Sequence, residues 1–265
     1  MMLANRPRMD AFKHAIARWV HPGDVVLEAG AGTGILSALA ARQGARRVYA
    51  AELDPLVAAT CRATMALNGL AEIVTVVEGP AEALAAPEPV DVVICEMLHV
   101  GLVNEQQLPV LQAVLANLAA RQPMSTLRCI PFGAVNAIQL MQVDYGYEGL
   151  QIPLIRTANP YGLEDPRLAA VSEPEPYWIV NFLAPEQGVD TAVTLTAVHD
   201  AEVNALQLVT KVVLTDDWTH PLNDWYLWTM QLPMPQRRVQ AGEQVGVHVA
   251  YEAGCDLEQV HLAWI

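Results

Sequence analysis

The chain of 265 residues is 53% hydrophobic and 17% charged, enough to build one large domain or two modest ones and too apolar for global disorder. A formal charge of −14 and an aromatic content of 6% argue against nucleic acid as a partner, because the field repels phosphates and base-stacking surface is scarce; cationic partners are favoured. Cys61, Cys95, Cys129 and Cys255 form no Cys-x-x-Cys pair, which excludes a zinc ribbon or thioredoxin-like motif and fits the reduced thiols of a cytoplasmic protein. No metal site is expected, and with neither a signal-type N-terminus nor an apolar run of about 18 residues, no membrane association is expected either.

Residues 8–19 are patterned as an amphipathic helix, with Met9, Phe12, Ile16 and Trp19 close to one face. Arg8 at its start suits either the clamping of a ligand carboxylate or a plain surface position. Pro22-Gly-Asp ends the helix. The apolar run from Val25 to Leu27 then reads as a buried parallel strand, and it leads through Glu28 into Gly30-Ala-Gly32-Thr-Gly34 and an alanine-rich helix. This Gly-x-Gly-x-Gly spacing differs from the Gly-x-Gly-x-x-Gly of dinucleotide sites. A carboxylate at position 28 repels a pyrophosphate but accepts hydrogen bonds from an ammonium group. Eighteen residues beyond Gly34, after a second strand over 47–51, stands Glu52, the position of a ribose-binding acid. A nucleoside carrying an amino acid satisfies both acids, which points to S-adenosylmethionine.

Strand and helix patterns continue to alternate. Asp54-Pro55 opens a helix that Asn68-Gly69 closes, a third strand covers 73–77 and a fourth covers 90–95. The rhythm predicts a parallel sheet covered by helices, with its ligand at the strand C-termini. Ala81 and Glu82, between the third and fourth strands, are placed to line an adenine ring, although an ordinary surface position suits Glu82 as well. The fourth strand runs directly into Glu96, and a second carboxylate, Glu105, closes the following apolar loop. A helix over 108–118 and a strand over 127–130 complete this half, and Pro131-Phe-Gly marks a boundary. The predicted domains are 1–131 and 132–265. In the second, β-patterned runs at 134–143, 178–183, 191–198, 205–214, 225–232, 244–251 and 259–265 predict an antiparallel barrel or sandwich, with an excursion over 145–176.

These motifs resemble the protein arginine N-methyltransferases over nearly the whole chain. Arg8-Met-x-Ala-Phe-x-x-Ala-Ile16 is similar to the family's N-terminal helix motif, with Phe12 where tyrosine is usual and Asn5 where aspartate often stands. Val26-Leu-Glu-Ala-Gly-Ala-Gly-Thr-Gly-Ile-Leu-Ser37 is similar to its cofactor motif. Glu96 and Glu105 match its double-glutamate loop, and Pro221-Leu-Asn-Asp-Trp225 resembles its threonine-histidine-tryptophan loop. The resemblance implies a Rossmann-like α/β methyltransferase domain followed by a β-barrel domain. It implies S-adenosylmethionine held by Arg8, Glu28, Gly30, Gly32, Gly34, Glu52, Ala81 and Glu82. Glu96 and Glu105 become the catalytic acids. Asp224 replaces the usual loop histidine, unless His220 takes that role in a shifted register. His99, Trp225 and His220 would line the substrate pocket, and Met97-Leu-His-Val100 departs from the family's usual loop. A short dimerisation arm within 145–176 would make a homodimer.

Two carboxylates suit this chemistry. A guanidinium stays protonated, with a pKa above roughly 12, and spreads its charge over three nitrogens. Forked carboxylate pairs bind its N–H groups and hold it in place. The expected activity is methyl transfer to a guanidino nitrogen of arginine, free or within a polypeptide. The alternatives are methylation of another small metabolite, with Glu105 or His99 as base, and a cofactor-binding module without catalysis.

Overall fold

The computed structural model describes residues 4–161, 164–216 and 224–265, Asp224 through its backbone alone. His220 and the side chain of Asp224, both singled out above, lie outside the described residues.

Helix α1 (Arg6–Trp19) begins where Asn5 caps it, the side chain accepting from the Arg8 N–H at 3.2 Å, with Pro7 in the first turn. It buries Met9, Phe12, Ala15 and Ile16, and with them Arg8. Then β1 (Val25–Ala29), α2 (Ile35–Gln43), β2 (Arg47–Glu52), α3 (Pro55–Leu67), β3 (Val74–Glu78), β4 (Val92–Cys95), α4 (Gln107–Ala119) and β5 (Arg128–Ile130) follow in order. Asp54 caps α3 by accepting from the Leu56 and Val57 N–H groups. The strands form one parallel sheet in the order β3-β2-β1-β4-β5. Every residue of β1 and β4 is buried, which is why these strands read as unbroken apolar runs rather than alternating ones. The order reverses at β1, so a crevice opens at the C-terminal ends of β1 and β4, where Glu28 and Glu96 lie.

The second half is antiparallel. It comprises β6 (Gly133–Val143), β7 (Gly146–Tyr147), β8 (Leu150–Gln151), β9 (Arg156–Ala158), β10 (Leu168–Ala170), β11 (Glu175–Asn181), β12 (Gly188–Thr196), β13 (Ala201–Val213), β14 (Asp224–Tyr226), β15 (Thr229–Val239), β16 (Gln244–Glu252) and β17 (His261–Trp264). The larger sheet runs β10-β6-β13-β15-β9, with β11 also on β6 and β14 also on β13; the smaller runs β12-β16-β17. Leu195, Leu206, Leu208, Val245, Val247 and Val249 join both sheets in a hydrophobic core that continues into the first half through residues such as Phe12 and Leu102.

Two expectations change in detail. The run over 225–232 is two strands: β13 pairs with β14 and β15 along one edge, and between them the Leu227 N–H donates to the Thr210 carbonyl at 3.0 Å, turning the chain. The excursion over 145–176 carries strands of its own. A hairpin of β7 and β8 stands apart, while β9 pairs with β15 and β10 with β6. Among the described residues no helix is long and apolar enough to cross a membrane.

Candidate functional site

The glycine turn uses its three glycines for three reasons. All adopt positive φ, which favours glycine. A Cβ on Gly34 would lie 2.6 Å from Cys61 Sγ and Met65 Cε, so this glycine lets α3 pack close; a Cβ on Gly30 would press on Met97 at 3.2 Å. Around Gly32 there is nothing within 4 Å, so here the backbone faces open space. The Gly32 N–H donates to Glu52 Oε2 at 2.7 Å and the Asp54 N–H to Glu52 Oε1 at 3.0 Å. These bonds fix the Glu52 carboxylate at the end of β2, beside the turn.

Glu28 is buried and accepts a hydrogen bond from the Ser37 hydroxyl on α2. Burial pushes its carboxyl up to about 8, against the lowering effect of Ser37 and of Arg8. Ala81 is buried in a short 3-10 turn, Ala81–Ala83, while Glu82 is exposed and its carbonyl accepts from Asn117 Nδ2 at 2.8 Å.

Glu96 leaves β4 and forms an ion pair with Arg8 in which both side chains are 5% exposed. The Arg8 guanidinium sits 5.2 Å from the ring centroid of Phe12 and 5.7 Å from that of Trp225, and those rings meet edge-on at 6.0 Å. Phe12 and Trp225 thus box the guanidinium against the carboxylate. The Nε of Arg8 is buried without a hydrogen-bond partner among the described residues. Burial pushes the Glu96 carboxyl above its ordinary value; Arg8 opposes that rise and nearby Glu105 adds to it. Glu105 itself is exposed.

The backbone on both sides of Glu96 is gripped by Gln107, a fully buried residue that opens α4. Its Nε2 donates to the Cys95 carbonyl and its Oε1 accepts from the Met97 N–H, each at 2.8 Å. Sequence reasoning missed Gln107. The one available signal was its place two residues after Glu105, where an amide opens an otherwise apolar helix.

Farther along, the antiparallel half takes hold of the loop. The Gly101 N–H donates to Thr210 Oγ1 at 2.7 Å, and the Tyr251 hydroxyl donates to the Gly101 carbonyl at 2.8 Å. The Gly254 N–H donates to the Leu102 carbonyl and the Asn104 N–H to the Cys255 carbonyl, both at 2.8 Å. Leu102 and Asn104 have φ of 60°, an uncommon conformation for a leucine, held by these contacts.

A cavity of about 680 Å³ opens above Arg8 and Glu96. His99, half-buried, and Trp225, buried, contribute to its wall, as do Asn159, Tyr161 and Trp228 from the second half. The structure therefore brings Arg8, Glu96, His99 and Trp225 together, with Glu28, the glycine turn and Glu52 across the ends of β1 and β2.

This arrangement defines the Rossmann-like fold of S-adenosylmethionine-dependent methyltransferases joined to an antiparallel β domain, and residues 26–120 match the family model described as a methyltransferase domain. Over its length and in its fold the chain is similar to the arginine N-methyltransferases. It is 27% identical to the arginine N(omega)-methyltransferase of Streptomyces achromogenes subsp. streptozoticus, over 94% of this chain and 74% of that one. It is 28% identical to an uncharacterized protein of Methanocaldococcus jannaschii, over 98% of this chain and 93% of the other. Among solved structures, a Trypanosoma brucei PRMT1 enzyme–prozyme complex with AdoHcy superposes with a TM-score of 0.77 at 18% identity, over 100% of this chain and 95% of that one.

Proposed function

We propose that the chain is an S-adenosylmethionine-dependent N-methyltransferase acting on a guanidino nitrogen of arginine. The observation that carries this reading is that Glu96, at the end of β4, already pairs with a guanidinium inside an aromatic box, that of Arg8. The site is built to hold that chemical group away from water.

The residues fit the cofactor. Gly32 leaves space for a ligand against the backbone, flanked by Gly30 and Gly34, and Glu52 is fixed to accept from ribose hydroxyls. Arg8, with an unpartnered buried Nε, suits the cofactor's carboxylate, and Glu28 suits its ammonium. Ala81 and the neighbouring Glu82 border the place of the adenine. Bound, S-adenosylmethionine supplies a methyl group on a sulfonium: the substrate nitrogen forms the C–N bond, the C–S bond breaks with its electrons staying on sulfur, and the nitrogen sheds one proton.

The chain's own contribution is positioning, worth up to roughly 7–11 kcal/mol when ideal. Glu96 fixes one edge of the guanidinium and Glu105 the other, drawing positive charge toward the nitrogens they bind and leaving the third to accept the methyl group. The proton leaves to Glu105 or to water. Trp225 and His99 wall the pocket, and Asp224 or His220 stands in for the family's loop histidine. In this division of labour residues 1–131 bind the cofactor and 132–265 frame the substrate.

The test is mass spectrometry of free arginine, an arginine-containing peptide and a guanidine-free amine after incubation with the protein and S-adenosylmethionine. A gain of a methyl mass on a guanidine, reduced at least about 100-fold by Glu96→Gln with cofactor binding retained, is expected. Methylation of the guanidine-free amine alone would favour another metabolite, and cofactor binding without any transfer would favour a binding module.

We also propose a homodimer in the cytoplasm. The hairpin exposes Tyr147 and Leu150 and the segment after it Leu154 and Ile155, a patch that a second copy would cover, and the free cysteines suit a reducing compartment. Light scattering at twice the chain mass of 28.8 kDa, shifting to the single mass in Leu150→Asp, is the expected result.

A further inference from the structure

The chain carries a formal charge of −14, yet the charged residues among those described that wall the cavity are Arg6, Arg8 and Glu96, two cations against one anion. Arg8 pairs with Glu96 and keeps its Nε for the cofactor's carboxylate. Arg6 opens α1 on the other side of Pro7, is exposed at the cavity wall, and makes no ion pair among the described residues. Arginine methylation as proposed above, on which this inference rests, gives work to Glu96 and Arg8 but none to Arg6.

We propose that Arg6 receives the carboxylate of the substrate, so that the substrate is free arginine or another small guanidino acid rather than an arginine within a polypeptide. A guanidinium presents a planar fork of N–H donors that matches a carboxylate with two parallel bonds. The substrate's own ends then meet opposite charges: its guanidinium goes to Glu96 and its carboxylate to Arg6. Thr157 and Asn159, neutral and polar, also line the cavity and suit the remaining amino group. An arginine inside a chain has amides where the carboxylate would be and leaves Arg6 unpaired. A cationic, arginine-rich peptide also meets a local positive charge at this wall, which opposes the attraction offered by the molecule's overall charge. The cavity of about 680 Å³ lies within the size range of small-molecule sites.

The test compares L-arginine with agmatine, which is arginine without its carboxylate, and with a peptide holding an internal arginine, each with S-adenosylmethionine and read by mass spectrometry. In the unaltered protein kcat/KM for L-arginine should exceed that for agmatine and for the peptide by about tenfold or more, chiefly through KM. Arg6→Gln should collapse the arginine-to-agmatine ratio toward one, and Arg6→Lys should keep most of it. Equal use of arginine and agmatine by the unaltered protein, or a preference for the peptide, overturns the role of Arg6 while leaving arginine methylation standing. An unchanged ratio in Arg6→Gln overturns it too. Failure to methylate any of the three overturns both this inference and the reading beneath it.

Discussion

At its first end the glutamate loop is held by the parallel half of the molecule, through side chains and a buried charge: Gln107 grips the backbone on both sides of Glu96, and Arg8 pairs with its carboxylate. At its second end the antiparallel half holds the loop's backbone, at Gly101 through the Thr210 and Tyr251 side chains and at Leu102 and Asn104 through backbone bonds, and leaves the Glu105 side chain exposed. The two carboxylates are thus prepared differently. Glu96 is oriented before any substrate arrives, at the cost of desolvation, whereas Glu105 keeps its water and only its backbone is fixed.

The largest loss is expected at the first end. Gln107→Leu strands the Cys95 carbonyl and the Met97 N–H in the core, costing about 2 kcal/mol of stability. The resulting shift of Glu96 should lower kcat by about 100-fold. Calorimetry and steady-state kinetics check this, and an unchanged kcat would show that Arg8 alone suffices to place Glu96. At the second end, Tyr251→Phe removes the bond to the Gly101 carbonyl but leaves the other backbone ties in place. The expected loss is smaller, about 1 kcal/mol in stability and about tenfold in kcat. A larger loss here than in Gln107→Leu would reverse the assignment of the two ends.

The parallel half was legible because its signals are local. The glycine turn, Glu52, the Asp54 cap and the position of Glu96 after a buried strand all depend on neighbours a few residues away or on one repeated rhythm. The fittings of the loop are not local. Tyr251 meets Gly101 across 150 residues of sequence, and Glu96 meets Arg8 across 88. Gln107 lies only 12 residues from Cys95, and its single local signal is an amide opening an apolar helix. The run over 225–232 hides its break for the same reason, since the turn at Leu227 is fixed by Thr210 on a strand reached through sheet pairing.

On the cofactor side, Glu28 carries the smallest expected effect. Its buried carboxyl holds a proton up to about pH 8 in the folded protein, whereas an ordinary carboxyl in the unfolded chain releases it near 4.5. The folded state therefore binds more protons at Glu28 between those values, so this group's contribution to stability is greatest below about 4.5 and is lost as pH rises through 8. Thermal melts should show this decline, flattened in Glu28→Gln. The cofactor's ammonium favours the ionised carboxylate, so affinity for S-adenosylmethionine should rise by about fivefold between pH 7 and pH 8, read by isothermal titration calorimetry. An affinity independent of pH in that window would place Glu28 outside the cofactor's contacts.

The bond from Tyr251 to Gly101 has a thermodynamic consequence beyond the site. Hydrogen-bonding groups of a segment belonging to one half find their partners on strands of the other, and the apolar core crosses the seam between them. Loss of either half strands polar groups and exposes core in the survivor, so neither has an unfolding equilibrium of its own. The whole chain is expected to melt as one cooperative unit, with a single heat-absorption peak in calorimetry.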